Sequence, residues 1–271
     1  MHDGAHGSYS SNKKVNSIAA YSLNLMGGSS FMWKIKHNHV HHTFTNIDGV
    51  DDDIDIQPFL RINESQRKYW IHRFQHLYFI ALYGLTYFIW VYWKDYEKYF
   101  KRKVGDMPIR KMKAKEHIGF WASKLLYTCL FVFVPAYTLG WADMLIGYSV
   151  VLFVCGLTIA VVFQLAHIVE DTQFPVADIS SNKIENEWAI HQIQTTANFA
   201  TRNKVVSWFM GGLNFQVEHH LFPKISHIHY PALSKIVRET CQEFNLKYIE
   251  YPTVWSALGA HVRHLKDLGR A

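Results

Sequence analysis

Two long apolar stretches dominate the pattern of hydrophobic and polar residues. Residues 120–139 and 144–165 each contain about the 20 residues that a helix needs to cross a bilayer. A short turn at residues 140–143 separates them and carries Trp141, a residue type enriched at membrane interfaces. The pattern predicts a transmembrane helical hairpin with both ends on one side of the membrane. Two buried helices of a soluble protein are the alternative, and such helices are usually shorter.

Two further apolar stretches, residues 16–33 and 77–93, are predicted to form interfacial or re-entrant helices along the cytoplasmic surface of the membrane. The first is interrupted by asparagine, glycine and serine, and the second is short and rich in aromatic residues. A basic segment, residues 94–115, follows the second stretch, and the positive-inside rule places it on the cytoplasmic face. If residues 77–93 crossed the bilayer, the histidine-rich residues 37–42 and 216–220 would lie on opposite faces.

The chain after residue 168 is mostly polar and is predicted to form a cytoplasmic helical cap. Residues 187–199 and 230–243 show helical spacing of apolar positions, and Pro231 suits the first turn of the second of these helices. The sequence contains no internal repeat or flexible linker, so residues 1–271 are predicted to form one domain. The expected fold class is all-α: a multi-pass membrane protein with a transmembrane hairpin, interfacial helices and a cytoplasmic cap.

The composition supports a membrane protein. Hydrophobic residues make up 49% and aromatic residues 15% of the 271 residues, which is rich for a soluble fold of this length. The formal net charge of +6 comes from lysines and arginines beside apolar stretches, where anionic lipid headgroups account for them better than nucleic acid does. Three cysteines, Cys129, Cys155 and Cys241, are too few and too far apart for a disulfide framework or a thiolate metal site.

Histidines cluster at three places in the chain. His2 and His6 lie four residues apart, the second cluster repeats this spacing, and the third combines a glutamine with two adjacent histidines. Residues four apart share one face of a helix, and a neutral imidazole nitrogen is a metal ligand at pH 7. The clusters consist of His2, His6, His37, His41, His42, Gln216, His219 and His220. Seven histidines exceed the four ligands of one closed tetrahedral site, which predicts a two-metal centre with open positions. Structural or pH-sensing histidines are the alternative.

Several residues outside the clusters are candidates for supporting roles. His167 lies just after the second predicted span, where that helix reaches the cytoplasmic face and an ionisable residue is a functional candidate. Glu170 and Asp171 are expected to accept its second ring proton or those of other ligands. The acidic run Asp48, Asp51, Asp52, Asp53 and Asp55 lacks the spacing of a calcium loop and is expected to be a solvated loop or a hydrogen-bond partner of the second cluster. The remaining histidines that are expected at the surface are His72, His76, His117, His227, His229, His261 and His264.

The residues do not select one metal. A nitrogen-rich site without thiolates suits iron, copper or zinc. Two metals with open positions beside a membrane suggest oxygen activation directed at a lipid, whereas a transporter would place its ligands near the bilayer midplane.

The three clusters resemble the histidine boxes of the membrane fatty acid desaturases. The boxes are HDGAH at residues 2–6, HNHVHH at residues 37–42 and QVEHH at residues 216–220. The glutamine that begins the third box is similar to that of the front-end, linoleoyl-CoA delta-6-type branch, and the likeness covers essentially the whole chain. It implies a non-haem di-iron enzyme that uses O2 and two electrons to insert a cis double bond into an acyl-CoA or acyl lipid.

The same resemblance implies a set of iron ligands and no separate catalytic residue. His167 matches the extra histidine that the family carries between boxes two and three, and Gln216 stands where relatives with a third histidine have a ligand. The implied ligands are His2, His6, His37, His41, His42, His167, His219 and His220, with Gln216 as a further candidate.

Two departures from the family pattern shape the remaining expectations. The family normally has a transmembrane hairpin before the first box, so residues 1–271 are expected to be a desaturase domain that lacks this hairpin. The His-Pro-Gly-Gly haem motif is missing, so the electron donor is expected to be a separate cytochrome b5 or ferredoxin. The alternatives are a di-iron lipid hydroxylase and a zinc-binding membrane protein without redox turnover.

Overall fold

The computed structural model describes residues 1–54, 56–105, 107–176 and 186–271, and these are mostly helical. The α-helices are α1 (His2–His6), α2 (Lys13–Leu25), α3 (Ser30–Lys34), α4 (Gln75–Ile89), α5 (Asp95–Lys101), α6 (Ala114–Thr128), α7 (Val134–Leu139), α8 (Trp141–His167), α9 (Trp188–Thr195), α10 (Lys204–Phe209), α11 (Gln216–Leu221), α12 (Tyr230–Glu243) and α13 (Val254–Arg270). Further helical segments are the π-helices Ile35–His41, Trp90–Lys94 and Cys129–Phe133 and the 3-10 helices Trp70–Phe74 and His227–His229. The short strands are β1 (Lys103–Val104), β2 (Met107–Pro108), β3 (Asn198–Phe199) and β4 (Glu250–Tyr251).

The chain divides into two compact units. The first unit consists of Met1–His39 and Ile80–Ala160, and the second unit consists of Val40–Phe79 and Val161–Ala271. Each unit contains its own clusters of buried apolar side chains.

Among the described residues, three helices are long and apolar enough to cross a membrane. They are Trp70–Lys101, Ala114–Leu139 and Trp141–His167. The last two confirm the helices of the predicted hairpin. Gly140 joins them at a φ of +88°, a conformation that glycine adopts without the steric cost of a Cβ atom.

The length predicted for the helix around residues 77–93 is wrong. These residues belong to a continuous helix of 32 residues, Trp70–Lys101, which is long enough to cross a membrane. The 3-10, α- and π-helical segments follow one another without a break, so residues with polar side chains extend the helix on both sides of its apolar centre. The apolar pattern indicated only the central residues 77–93, because hydropathy does not show where a helix ends.

The long helices of the first unit approach closely at two glycines, and three of their tyrosine hydroxyls are hydrogen-bonded to one another. A Cβ atom at Gly156 would lie 2.4 Å from the backbone oxygen of Gly84, so these glycines allow α4 and α8 to approach closely. The hydroxyl groups of Tyr92 and Tyr148 are 2.6 Å apart, and Tyr148 donates to the hydroxyl of Tyr127 at 2.9 Å. These hydrogen bonds satisfy three phenols in helices that otherwise present apolar side chains.

A buried ion pair fixes the loop that precedes α3. Lys124 Nζ lies 2.8 Å from Asp95 Oδ2 and also donates to the backbone oxygens of Gly27 and Val91. Asp95 Oδ2 accepts the backbone N–H of Ser29 at 2.8 Å. Both charges are almost fully buried, and such a pair is tolerated only when its remaining hydrogen-bonding groups are satisfied, as they are here.

The apolar stretch at residues 16–33 forms two helices, as its interruption indicates. α2 ends before Gly27, which adopts a φ of +78°, and α3 begins after Ser29, whose side chain caps the backbone N–H of Met32. The side chains of Ile18 and Tyr21 on α2 are exposed. An exposed apolar face suits a helix at a membrane surface, and that location stays a prediction.

The second unit combines short helices with a two-stranded parallel sheet. Asn198 of β3 pairs with Glu250 of β4, and Phe199 pairs with Tyr251. The predicted helix at residues 187–199 ends early, at Thr195, because the chain then becomes extended to pair with β4. The predicted helix at residues 230–243 is confirmed as α12, with a proline in its first turn.

Candidate metal centre

The first unit brings together three histidines of the first two boxes. His2 and His6 lie at the two ends of α1, and His37 lies in the π-helix Ile35–His41. Their ligand nitrogens lie within 4.8 Å of one another, and the Nε2 atoms of His2 and His37 are 3.2 Å apart. The indole of Trp33 stacks on the His37 ring at 4.3 Å and 24°. The three imidazoles therefore converge on one point.

The second unit contains another group of converging histidines. His41 ends the π-helix Ile35–His41, His167 ends α8, and His220 lies in α11. Their ligand nitrogens also lie within 4.8 Å of one another, and all three side chains are fully buried. The π-helical conformation is rare in proteins and frequent at functional sites.

His42 and His219 lie beside this second group. The His42 ring stacks on the His220 ring with centroids 4.3 Å apart at 24°. The centroids of His42 and His219 are 4.6 Å apart. Both side chains are buried, so five box or additional histidines surround one region of the second unit.

Three of these histidines have a hydrogen-bond partner at Nδ1. Nδ1 of His41 lies 2.8 Å from Asp51 Oδ2. Nδ1 of His219 lies 3.1 Å from the Tyr230 hydroxyl, and Nδ1 of His220 lies 2.7 Å from Gln192 Oε1. A metal-bound histidine usually donates its second ring N–H to such a group, which fixes the tautomer and the direction of the other nitrogen. The carboxylate and amide oxygens therefore favour Nε2 as the ligand atom of His41 and His220, whereas the Tyr230 hydroxyl can either donate or accept.

The loop after the second box is held by Asn46. Its side-chain amide donates to the backbone oxygens of His167 and Thr195, and its backbone N–H donates to Asp51 at 3.0 Å. Asn46 adopts a φ of +60°, a conformation that asparagine accepts more readily than most residues. One asparagine thus connects the segment after box two with the end of α8.

Gln216 contacts a candidate ligand. Its side-chain amide nitrogen lies 2.9 Å from His167 Nε2, and both side chains are buried. In this orientation the amide N–H of Gln216 donates to Nε2 of His167, the nitrogen through which His167 would bind a metal. A half-turn of the amide would instead present its oxygen, which is the atom that can act as a ligand.

The chemistry of these residues suits a metal ion. The donors are nearly all imidazole nitrogens, all of them except those of His2 and His6 are buried, and three of the rings have a hydrogen-bond partner at Nδ1. Cys241 is buried in a cluster of apolar side chains that contains Ile193 and Val217. A site made of nitrogen donors without thiolates suits iron, copper or zinc.

The sequence model of the fatty acid desaturase family matches residues 1–252. The chain belongs to the fatty acid desaturase family. It is thus an oxidoreductase domain of the kind that desaturates fatty acyl chains, and its histidine groups are compatible with a metal site.

Among curated desaturases, the chain is 42% identical to the sn-1 linoleoyl-lipid 6-desaturase of Synechocystis sp. over 100% of its own length and 76% of that protein. It is 40% identical to the acyl-lipid (8-3)-desaturase of Physcomitrium patens over 99% of its length and 56% of that protein. Identity to the sn-1 linoleoyl-lipid 6-desaturase of Arthrospira platensis is 37%, over 98% of this chain and 72% of that protein. The chain thus spans between about half and three quarters of the length of these relatives. No solved structure matches it.

Part of the support expected around the desaturase boxes is confirmed. Asp51 contacts His41, which confirms the prediction that the acidic run supplies a hydrogen-bond partner to the second box. Asp55, another residue of this run, lies outside the described residues. Glu170 was expected beside His167 but is bonded to Arg263 through both carboxylate oxygens at 2.7 Å, which lowers the pKa of Glu170. The neighbouring acid is likewise bonded to a lysine and a tyrosine, so the expectation for both acids is wrong.

Sequence reasoning missed several buried polar residues of the second unit. His72 and His261 are buried, although both were expected at the surface. Thr45, His191 and Gln192 are also buried, and two of them contact His220. A polar residue on the buried face of a short helix gives no distinct signal in one sequence, because the same pattern fits a solvated turn.

Proposed function

We propose that the chain catalyses O2-dependent insertion of a cis double bond into a fatty acyl chain at a non-haem di-iron centre. Two groups of histidines whose ligand nitrogens converge within 4.8 Å carry this proposal. The proposed iron ligands are His2, His6, His37, His41, His42, His167, His219 and His220, with Gln216 as a weaker or water-mediated ligand. The rivals are a di-iron lipid hydroxylase and a zinc-binding membrane protein without redox turnover.

The residues of the chain have distinct tasks in this reaction. Two bound iron ions would supply the activation of O2 and the removal of two hydrogens from adjacent acyl carbons. The reaction takes two electrons and two protons from outside, and O2 leaves as two molecules of water. The Asp51 carboxylate holds a proton on Nδ1 of His41, so that Nε2 of this ring stays available as a ligand. Burial of His41, His167 and His220 keeps bulk water from these groups.

The proposed substrate is an acyl chain esterified in a membrane lipid, with acyl-CoA as the alternative. Two relatives at 42% and 37% identity are named sn-1 linoleoyl-lipid 6-desaturases, which supports position 6 as the site of the new bond. Expression of the parent gene in a host that contains linoleate should yield a lipid-bound product with an added double bond at position 6. A hydroxylated product would favour the hydroxylase, and desaturation at another position would contradict this regiochemistry.

We also propose that all three boxes face the cytoplasm and that only Ala114–Leu139 and Trp141–His167 cross the bilayer. Two contacts within the first unit support this: Arg110 lies 4.8 Å from the centre of the Phe31 ring, and Met32 and Lys98 line a common cleft. α3 leads directly into the π-helix that carries His37, so the basic segment lies on the same side as this histidine.

Labelling of single exposed cysteines with an impermeant maleimide tests this topology. The natural cysteines are replaced by serine, and the engineered variants are Thr43→Cys, Lys103→Cys, Lys224→Cys and Ala142→Cys, all at exposed positions. We expect the first three to react only from the cytoplasmic side and Ala142→Cys only from the other side. Reaction of Lys103→Cys from the outer side would show that Trp70–Lys101 crosses the bilayer.

The proposed electron donor is a separate protein, either a cytochrome b5 or a ferredoxin. The desaturation needs two electrons per double bond, and residues 1–271 contain no His-Pro-Gly-Gly motif. Reconstituted with lipid substrate and one reduced donor at a time, the enzyme should form product with at least one of them. Product formation with neither donor, in protein that is active in cells, would contradict this assignment.

A further inference from the structure

Gln192 and Thr45 form a hydrogen-bonded clamp on the last histidine of the third box. Gln192 Oε1 lies 2.7 Å from His220 Nδ1 and 2.8 Å from Thr45 Oγ1. Thr45 Oγ1 also lies 2.7 Å from the backbone oxygen of His41. Gln192, Thr45 and His220 are fully buried, so these hydrogen bonds form away from water.

We propose that Gln192 is a positioning residue of the metal centre, whose amide oxygen keeps the proton of His220 on Nδ1 and so presents Nε2 to the metal. Thr45 Oγ1 lies within hydrogen-bond distance of this amide oxygen and of the backbone oxygen of His41, and its single proton is donated to one of the two at a time. The inference rests on the proposed function, because it takes His220 as a metal ligand.

The direction of the Gln192 amide determines which nitrogen of His220 carries the proton. With Oε1 facing Nδ1, the neutral ring donates from Nδ1 and keeps its lone pair on Nε2. The opposite orientation would direct an N–H group at Nδ1, and the ring proton would have to move to Nε2. A neutral imidazole protonated at Nε2 has no lone pair there for a metal. The orientation of one amide therefore decides whether His220 can act as a ligand through Nε2.

Helix α9 is anchored at both ends, which keeps Gln192 in place. Near its start, the indole N–H of Trp188 donates to the backbone oxygen of His42 at 3.0 Å. At its end, the amide of Asn46 donates to the backbone oxygen of Thr195 at 3.2 Å. Both partners belong to the second box or to the loop that follows it. α9 contains no box residue, yet it is bonded directly to the segment that supplies the ligands.

The groups that contact Nδ1 of the three histidines differ in charge. A change of charge at position 192 can therefore show whether Gln192 affects the electron density of the His220 ring or only holds the ring in place. Asp51 offers a carboxylate to His41, Tyr230 offers a hydroxyl to His219, and Gln192 offers a neutral amide to His220. A hydrogen bond to an ionised acceptor is roughly twice as strong as one between neutral groups. A glutamate at position 192 should therefore increase the electron density on the His220 ring and change the ligand field of the bound metal.

The test uses the purified full-length protein loaded with Fe(II) and, in a parallel sample, with Co(II), whose visible spectrum reports the ligand field. Gln192→Met keeps the side-chain length but removes the oxygen acceptor, and we expect it to lose iron to a chelator about 10 to 100 times faster than wild type. Gln192→Glu should retain iron at least as well as wild type and shift the Co(II) spectrum. Gln194→Met is the matched control on the same helix, since that side chain accepts a hydrogen bond from Asn186 instead.

The outcomes separate this inference from the proposed function. Equal rates of iron loss and equal Co(II) spectra in wild type and both Gln192 variants would overturn the inference while leaving the metal centre intact. Wild-type protein that binds neither metal would overturn the proposed function and the inference with it. If Gln192→Met does not fold, as judged by helical content, Gln192→Glu and Thr45→Val decide. A shifted spectrum in the first and faster iron loss in the second support the clamp, and unchanged values in both overturn it.

Discussion

Alanine in place of His41 is expected to abolish desaturation, with a loss of product of more than about 100-fold, because the loss of a hydrogen-bond partner alone typically costs about 10 to 100-fold. The side chain is fully buried, and its Nδ1 is held by Asp51, so alanine removes an oriented ligand nitrogen from the second group. The substitution also removes one hydrogen-bond partner of the buried Asp51 carboxylate, which still accepts the backbone N–H of Asn46. Fatty acid profiling of a host that expresses the variant measures the effect, with immunoblotting of membranes to establish that the protein is present.

His39→Ala is the matched control for this experiment. His39 lies in the same π-helix but outside the four-residue spacing of the second box, and it is not among the histidines that converge on either group. We expect this variant to retain most of the product. Full activity of His41→Ala, or equal losses in the two variants, would contradict the assignment of ligands.

Acidification is expected to destabilise the second unit through His261. This side chain is fully buried on α13, and its Nδ1–H donates to the backbone oxygen of Ile168 at 2.6 Å. Burial lowers the pKa of His261 from 6.5 to about 4, since the charged ring would lose its hydration. The unfolded chain binds the proton more readily than the folded chain does. The contribution of neutral His261 to the free energy of unfolding is therefore fully present above about pH 6.5 and is lost as the pH falls toward about 4. The total loss over this range is about 3 kcal/mol.

Urea unfolding in detergent, followed by near-ultraviolet circular dichroism at pH 7.5 and pH 5, measures this loss. By pH 5 the His261 contribution should amount to about 2 kcal/mol. His261→Gln keeps a donor for Ile168 but does not titrate, so its loss of stability should be smaller than that of wild type by this amount. His229→Gln, at an exposed position, should behave like wild type. Identical pH dependence in wild type and His261→Gln would contradict the role of burial.

The sequence predicted the hairpin and the histidine groups because both have strong local signals. Two apolar stretches of about 20 residues leave few alternatives to membrane helices. The four-residue spacing explains why His2 and His6 share a group, but the expectation was wrong for His37 and His41, which have the same spacing and belong to different groups. His2 and His6 converge with His37 in the first unit, and His41 converges with His220 in the second. The spacing within each box was visible in the sequence, whereas the convergence of separate boxes was inferred from their number.

The sequence did not reveal the length of the helix around residues 77–93 or the contacts of Gln192. Polar residues at both ends of Trp70–Lys101 continue the helix, and only backbone hydrogen bonding shows this. Gln192 is bonded to Thr45 across 147 positions of the chain, and one sequence carries no record of such a pair. The prediction that Glu170 accepts a histidine ring proton was wrong for a similar reason, since its actual partner, Arg263, lies 93 positions away in the chain.

The iron content of the purified full-length protein tests the central claim most directly. If the eight proposed histidines divide between two metals, as their number and the two converging groups indicate, the catalytically active protein should contain close to two iron atoms per chain. Metal analysis by mass spectrometry, with desaturase activity measured on the same preparation, gives this number. Active protein with stoichiometric zinc and iron near zero would contradict the account.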